Sequence, residues 1–458
     1  MTQMQQNGRQ EQQASQEEVA RATQEIRTIF LRDYEDLLRS RSRLRPEPAD
    51  DQAIYGFADR AVHEYLRAMA GNPSLPLISR VQLMEIRREL YLTHTALGPL
   101  GPVLTIEGVE DIHIHGPRGG YLEFGDHREP LPIEFQSEEE LIQLLRWYAE
   151  MSGKHLDPGD PIQTFTMRDG TRINVIMPPV AKPLMVTIRR QQPRRFMSPD
   201  DLIREGSMPA SVKPLLQAAV LARLNVVLSG STGAGKTTVV RTLALQIPDG
   251  ERTCVLETET ELWLHDMRDD FFSLEERPPN VEGAGEITME KLLRLGALRQ
   301  RPRRIIVGEV RGKEALEMLH AMATGHDGSL TTVHASSPRL TLQRLQLLAM
   351  SADANLSQPV VSQMVGTCID MVIHLGMYRR DGRLLRRMTH MCFVDHNVED
   401  PSLGPIVQEV CRYRLADDAW EWENDAIRFM PRKVHDKFEA AGVDDRQLRF
   451  EVVGGDAR

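Results

Sequence analysis

Apolar residues along this chain change their period several times, and each change marks an element. In "EEVARATQEIRTIFLRDYEDLLRS" they recur three and four apart, as one face of a helix does. The same spacing runs from "AIYGFADRAVHEYLRAMAG" to "VQLMEIRRELYLTH". "GPLGPVLTIEGVEDIHIHGPRGGYLEF" switches to short alternating strands broken by Gly and Pro. A helix over "SEEELIQLLRWYAEMSG" follows, with Ser137 as its N-cap. "TFTMRDGTRINVIMPP" and "LMVTIRRQ" read as further strands. Residues 51–195 are therefore expected to form an α+β domain behind a polar segment, 1–50, that is partly disordered. From about residue 222 to 378 strands and helices alternate, as a parallel α/β sheet requires. "RRMTHMCFV", "CRYRLA" and "PRKVHDKFEAAGV" add strands and a helix, making 196–458 one α/β domain with an α+β extension.

Composition narrows the classes. A chain of 458 residues has room for two or three domains. Its net charge of -10 argues against free nucleic acid as the main partner, because phosphate binding wants a basic footprint. Four cysteines (Cys254, Cys368, Cys392 and Cys411) without C-x-x-C spacing suggest a reducing compartment, with no disulfide framework or zinc site. The Gln- and Glu-rich start has no apolar core, so no signal peptide is expected. The best apolar stretch, "LLQAAVLARLNVVL", contains Arg223 and Asn225 and is too short to span a bilayer. A cytoplasmic protein is expected, touching a membrane only through a partner.

Between the strand "LNVVLSG" and the helix "TTVVRTLALQI" lies a G-x-x-x-x-G-K-[ST] loop from Gly230 to Thr237. Gly230, Gly233 and Gly235 let the backbone wrap closely, so that its amides, with those of Ser231, Thr232 and Ala234, face phosphate. Lys236 is placed for the β- and γ-phosphates, the Thr237 hydroxyl for Mg2+, and Thr238 begins the helix beside them. The loop predicts ATP and Mg2+ binding.

Carboxylates at the ends of neighbouring strands hold Mg2+ or orient water in such proteins. "RRIIVGEVRG" delivers Glu309 in this way, and "CVLETETEL" delivers Glu257, Glu259 and Glu261. Glu259 and Glu261 have solvated acidic caps as a secondary reading. His326 and His334 flank a Gly/Ser/Thr-rich segment, and alone they would be structural.

Taken together, the Walker loop, "VLETETEL", "RPPNVEGAGEIT", "IIVGEVRGKEALEMLHAMATGHDGSLTTVHA" and "DGTRINVIMPP" resemble the type II/type IV secretion-system ATPase superfamily. Within it the chain looks most like the Tad/Flp (tight-adherence) pilus assembly ATPases, over roughly residues 80 to 450. The resemblance implies a RecA-like P-loop ATPase domain preceded by a smaller α+β domain, assembled as a homo-hexameric ring. It identifies "VLETETEL" with the family's Asp box, "IIVGEVRG" with its Walker B and "GHDGSLTTVHA" with its His box. Two positions depart from the family. Thr258 stands where the Asp box has aspartate, and Thr166 stands where an arginine of the pattern A-R-L-x-D-G-S-R is common.

Lys236 and the loop amides are thus assigned to phosphate, Thr237 to Mg2+, Glu309 to the attacking water, and Glu257 to metal or water. Arg172, Arg189 and Arg190 are candidates to reach the γ-phosphate, and Arg168 is the candidate to replace the arginine missing at Thr166. "TIRRQ" also reads as an exposed basic strand end. His326 and His334 would report loss of the phosphate. The expected role is to power a pilus or secretion machine through an integral inner-membrane platform protein, from the cytoplasmic face and without direct nucleic acid. The alternatives are a conjugative or type IV secretion ATPase, a DNA-dependent P-loop motor, and a non-hydrolysing scaffold.

Overall fold

The computed structural model describes residues 16–42, 46, 50–72, 74–95, 100–125, 127–190, 197–277, 279, 284–380, 383–423 and 425–443. The disorder expected at the start of the chain, the domain end expected near residue 195 and parts of "RPPNVEGAGEIT" lie outside them. The chain divides into two compact units, Met1–Arg194 and Arg195–Arg458.

In the first unit, helices Gln16–Ser40, Asp51–Gly71 and Arg80–His94 pack together. Ala22, Ile26 and Phe30 recur four apart and are fully buried, so the first helix belongs to this unit's core. Ser137 caps helix Glu138–Met151 by accepting the Glu140 amide at 3.2 Å, as the sequence predicts. The sheet comprises β1 (Asp111–His115), β2 (Gly120–Phe124), β3 (His127–Pro130), β4 (Ile162–Thr166), β5 (Arg172–Ile176) and β6 (Met185–Arg189). Its order is β3-β2-β1-β6-β5-β4, with every neighbour antiparallel. Alternation sends Ile112, Ile114, Leu122, Phe165, Ile173, Val175, Val186 and Ile188 into the core. The residues between them share the opposite face.

The second unit contains β7 (Val226–Gly230), β8 (Thr253–Glu257), β9 (Phe271–Glu275), β10 (Arg304–Val307), β11 (Leu330–Val333), β12 (Met371–Arg380), β13 (Arg383–Asp395), β14 (Ile406–Arg414) and β15 (Ala419–Trp422). They form one sheet in the order β15-β14-β13-β12-β7-β11-β10-β8-β9. From β12 to β9 every pairing is parallel, and from β12 to β15 every pairing is antiparallel. β7, β8, β10 and β11 are buried along their whole length, as a sheet covered on both faces must be. Alternate residues feed two cores, Leu228, Val255 and Ile306 into one and Val227, Leu256 and Val307 into the other. This is a RecA-like α/β sheet, with the loop-bearing strand β7 between the last parallel strand and β11. All four cysteines are buried and free.

Candidate nucleotide site

β7 ends on Gly230, and helix Lys236–Ala244 begins six residues later. A Cβ on Gly230 would collide with the Leu375 carbonyl on β12, so the loop can leave the sheet there only through glycine. Gly233 and Gly235 have φ of 77° and 93°, the left-handed region that side chains resist. Ala234 is buried under the arch, Ser231 and Thr232 are exposed, and Thr237 and Thr238 are half-buried at the helix start. The backbone therefore forms the cradle that a polyphosphate fills.

Lys236 lies inside this arch, 8% exposed, and its Nζ donates to the carbonyls of Gly230 at 3.0 Å and Ser231 at 2.9 Å. Burial lowers the pKa of this ammonium, opposed by Glu309 and Glu261. The same Nζ lies 3.4 Å from His334 Nδ1, and His334 Nε2 lies 3.3 Å from Glu309 Oε1. Burial, with Lys236 beside it, also lowers the His334 pKa. A neutral ring fits both contacts, accepting from lysine at Nδ1 and donating to the carboxylate at Nε2.

Glu309 follows β10 and also receives Arg311 Nη2 at 2.6 Å. Burial would push its carboxyl up, but Arg311, His334 and Lys236 outweigh that and hold it below its ordinary value. Glu257 ends the adjacent strand in the opposite condition. Its Oε1 accepts the amides of Glu261 and Leu262, both at 2.9 Å, while the buried Oε2 has no hydrogen-bond partner among the described residues. Burial pushes its pKa to about 7. Gly308 leaves it room, because a Cβ there would lie 3.1 Å from Glu257 Cγ. Arg241 of the loop helix binds the carbonyls of Leu262 and Glu261, which ties that helix to the Glu257 turn. A glycine cradle, a buried ammonium, a helix-start hydroxyl and an unsatisfied buried carboxylate oxygen fit a nucleotide with its Mg2+.

The remaining predicted residues are spread more widely. The His326 ring bonds Ala321 O at 3.2 Å, at the end of helix Glu314–Ala323, rather than Lys236 or Glu309. In the first unit, strand register lines up Thr166, Arg172, Arg189, Asp111, Glu123 and Arg128 across the sheet face opposite its core. Arg172 and Arg189 are therefore direct neighbours, with Arg189 forked onto Asp111 at 3.0 and 3.3 Å. Arg190 turns the other way. It is 6% exposed and donates to the carbonyls of Ile106 and Val109. Arg168 sits in the turn, with its Nε on Asp51 Oδ2 at 3.2 Å.

Sequence reasoning missed two contributors. His374 on β12 is in register with Ser229, and its Nδ1 is 2.9 Å from the Ser229 hydroxyl at the root of the loop. Burial lowers its pKa to about 4, so it is neutral. Arg386 on β13 donates from Nε to Gly233 O at 2.8 Å. Neither belongs to a motif; only strand register brings them here.

A Walker loop between a buried parallel strand and a helix, in a sheet of this order, defines a P-loop nucleotide-binding domain. The chain belongs to the type II/IV secretion system protein family, whose model matches residues 95–392. A putative conjugal transfer protein of Mycobacterium tuberculosis is 29% identical over 318 residues, spanning 68% of this chain and 88% of that protein. The type IV secretion system protein PtlH of Bordetella pertussis is 32% identical over 263 residues, spanning 52% of this chain and 76% of its own. Among solved structures, the VirB11 ATPase of the Brucella suis type IV secretion system, in complex with sulphate, is 24% identical. It covers 72% of this chain and 97% of that one, with a TM-score of 0.33.

Proposed function

We propose that this chain hydrolyses ATP with Mg2+ as a homo-hexameric motor that powers assembly or secretion of a Tad/Flp-type pilus. It would work from the cytoplasmic face of the inner membrane, peripherally, by moving an integral platform protein. No helix of the described residues is long and apolar enough to cross a membrane. The observation that carries hydrolysis is the contact chain from Lys236 through His334 to Glu309, at the strand ends beside the loop.

Mg2+ would neutralise charge on the transferring phosphate, and Thr237, Glu309 and Glu257 are the residues to hold it. Lys236 exchanges two loop carbonyls for phosphate oxygens. Glu309, held ionised, accepts a hydrogen bond from the attacking water and fixes its line of approach. His334 loses one partner when Lys236 turns, so it registers whether phosphate is present. Arg172 and Arg189 are the arginines assigned to the transferring phosphate of the same or a neighbouring subunit. Arg168 and Arg190 support the fold of the first unit, and His326 supports its own helix end.

A second reading is a conjugative or type IV secretion ATPase. The conjugal-transfer and type IV secretion names of the relatives favour it. Pilin and prepilin-peptidase genes beside this gene would select the first reading, and relaxase and coupling-protein genes the second. For either, the test is phosphate release by the purified full chain. Lys236→Ala should abolish it, and an undiminished rate would refute hydrolysis at this loop.

A further inference from the structure

β12 and β13 outrun the sheet to which they belong. β7 pairs with β12 from Met371 to Leu375, and β14 pairs with β13 from His390 to Asp395. Among the described residues, Gly376–Arg380 and Arg383–Arg387 pair only with each other. Because β12 runs parallel to β7, this ribbon leaves the sheet at the end where β7 enters the phosphate loop. A lone two-stranded ribbon is marginal in water, so its contacts matter. Arg386 bonds Gly233 O at 2.8 Å, and Met377 Sδ lies within 3.8 Å of where a Gly233 Cβ would be. Arg380 and Arg387 reach Asp418 at 3.5 and 3.6 Å. Arg379 and Arg383 are exposed beyond them.

Charge is distributed unevenly about this ribbon. From Met377 to Arg387 the sequence has five arginines and one aspartate, on a chain of net charge -10. From Glu259 to Glu276 it has seven acidic residues and one arginine, and Asp269 and Glu275 there are exposed. The strand order puts β7, β11 and β10 between β12 and β8, a separation of about 19 Å at the usual strand spacing. At that distance the two patches cannot pair within one copy, and salt screens their attraction. Two copies placed head to tail can pair them, and repeating such a heterologous contact closes a ring.

We propose that the arginine ribbon is a docking surface for a second copy of this chain, seated on the acidic Glu259–Glu276 flank of that copy. The inference rests on the ring reading and adds to it the surfaces that meet. A phosphate backbone or an anionic bilayer fits less well, since the rest of the chain is more acidic than the whole and repels both. Arg386 bonds the phosphate loop from the same ribbon, so docking would be felt where nucleotide binds.

The test is light scattering on the full chain with a non-hydrolysable ATP analogue and Mg2+, at about 50 mM and about 500 mM salt. Wild type should form rings that loosen at high salt. Arg379→Glu with Arg383→Glu should weaken assembly roughly ten-fold, as should Asp269→Lys with Glu275→Lys. Mixing the two reversed proteins should restore rings of alternating subunits. Rings undiminished in both variants would overturn the docking and leave the ring reading standing. Wild type dispersed under every condition would overturn both. If the arginine variant keeps its rings but loses binding to a single-stranded oligonucleotide or to phosphatidylserine vesicles, the ribbon serves that ligand and the proposal falls.

Discussion

Glu257 and Glu309 end adjacent strands, yet their surroundings give them opposite characters. Arg311, His334 and Lys236 outweigh burial at Glu309 and keep it ionised, whereas burial lifts Glu257 from 4.5 to about 7. A carboxyl whose folded-state pKa is raised stabilises the fold below its unfolded pKa, and that contribution is lost as pH rises through the folded value. In nucleotide-free protein, Glu257→Gln should therefore be near neutral at pH 5. At pH 8 it should stabilise by up to roughly 3 kcal/mol, because the amide oxygen still accepts both backbone amides without the buried charge. Urea denaturation at the two pH values reads this directly, and an equal effect at both would contradict it. The arginines divide in the same way. Arg168 holds the buried carboxylate of Asp51, so Arg168→Ala should cost about 1–2 kcal/mol of stability and leave turnover per folded molecule intact. Arg172→Ala should instead lower turnover ten-fold or more at unchanged stability, since an arginine on transition-state charge is worth about 10³ in rate in the best-studied cases. Steady-state rates beside melting curves separate the two.

The turn joining β4 to β5 shows how an element is fixed from a distance. Asp169 accepts the amide and hydroxyl of Thr171, and Arg88 of helix Arg80–His94 donates to it at 2.9 Å. The pair is almost fully buried, at 5% and 2% side-chain exposure. Breaking such a pair from one side strands a charge, so Arg88→Ala should destabilise by about 3–5 kcal/mol in urea denaturation. A loss below about 1 kcal/mol would mean that the pair does not hold the turn. Much at this scale was legible from local pattern. The strand–loop–helix around Gly230, the strands delivering Glu257 and Glu309, and the Ser137 cap are set by residues close together in sequence. Alternation could also have separated Arg189 from Arg190, because neighbours on a strand cannot share a face. What could not be read is register between remote strands. Ser229 meets His374 across 145 positions and Gly233 meets Arg386 across 153, with no local signal at either end.

At the scale of the whole molecule, we infer that a secretion-family chain spends ATP at one loop, with a carboxylate two strands along the sheet directing the water. The sheet brings Lys236, His334 and Glu309 into one contact chain, so binding and hydrolysis should separate by mutation. The most direct measurement compares nucleotide retained with phosphate released for Glu309→Gln and wild type. Glutamine keeps the size and an amide oxygen that can still accept from His334 or meet the metal, but it lacks the charge that orients water. Glu309→Gln should retain Mg-ATP at near wild-type affinity and release phosphate at least about a hundred-fold more slowly. Near wild-type phosphate release by that variant would contradict it.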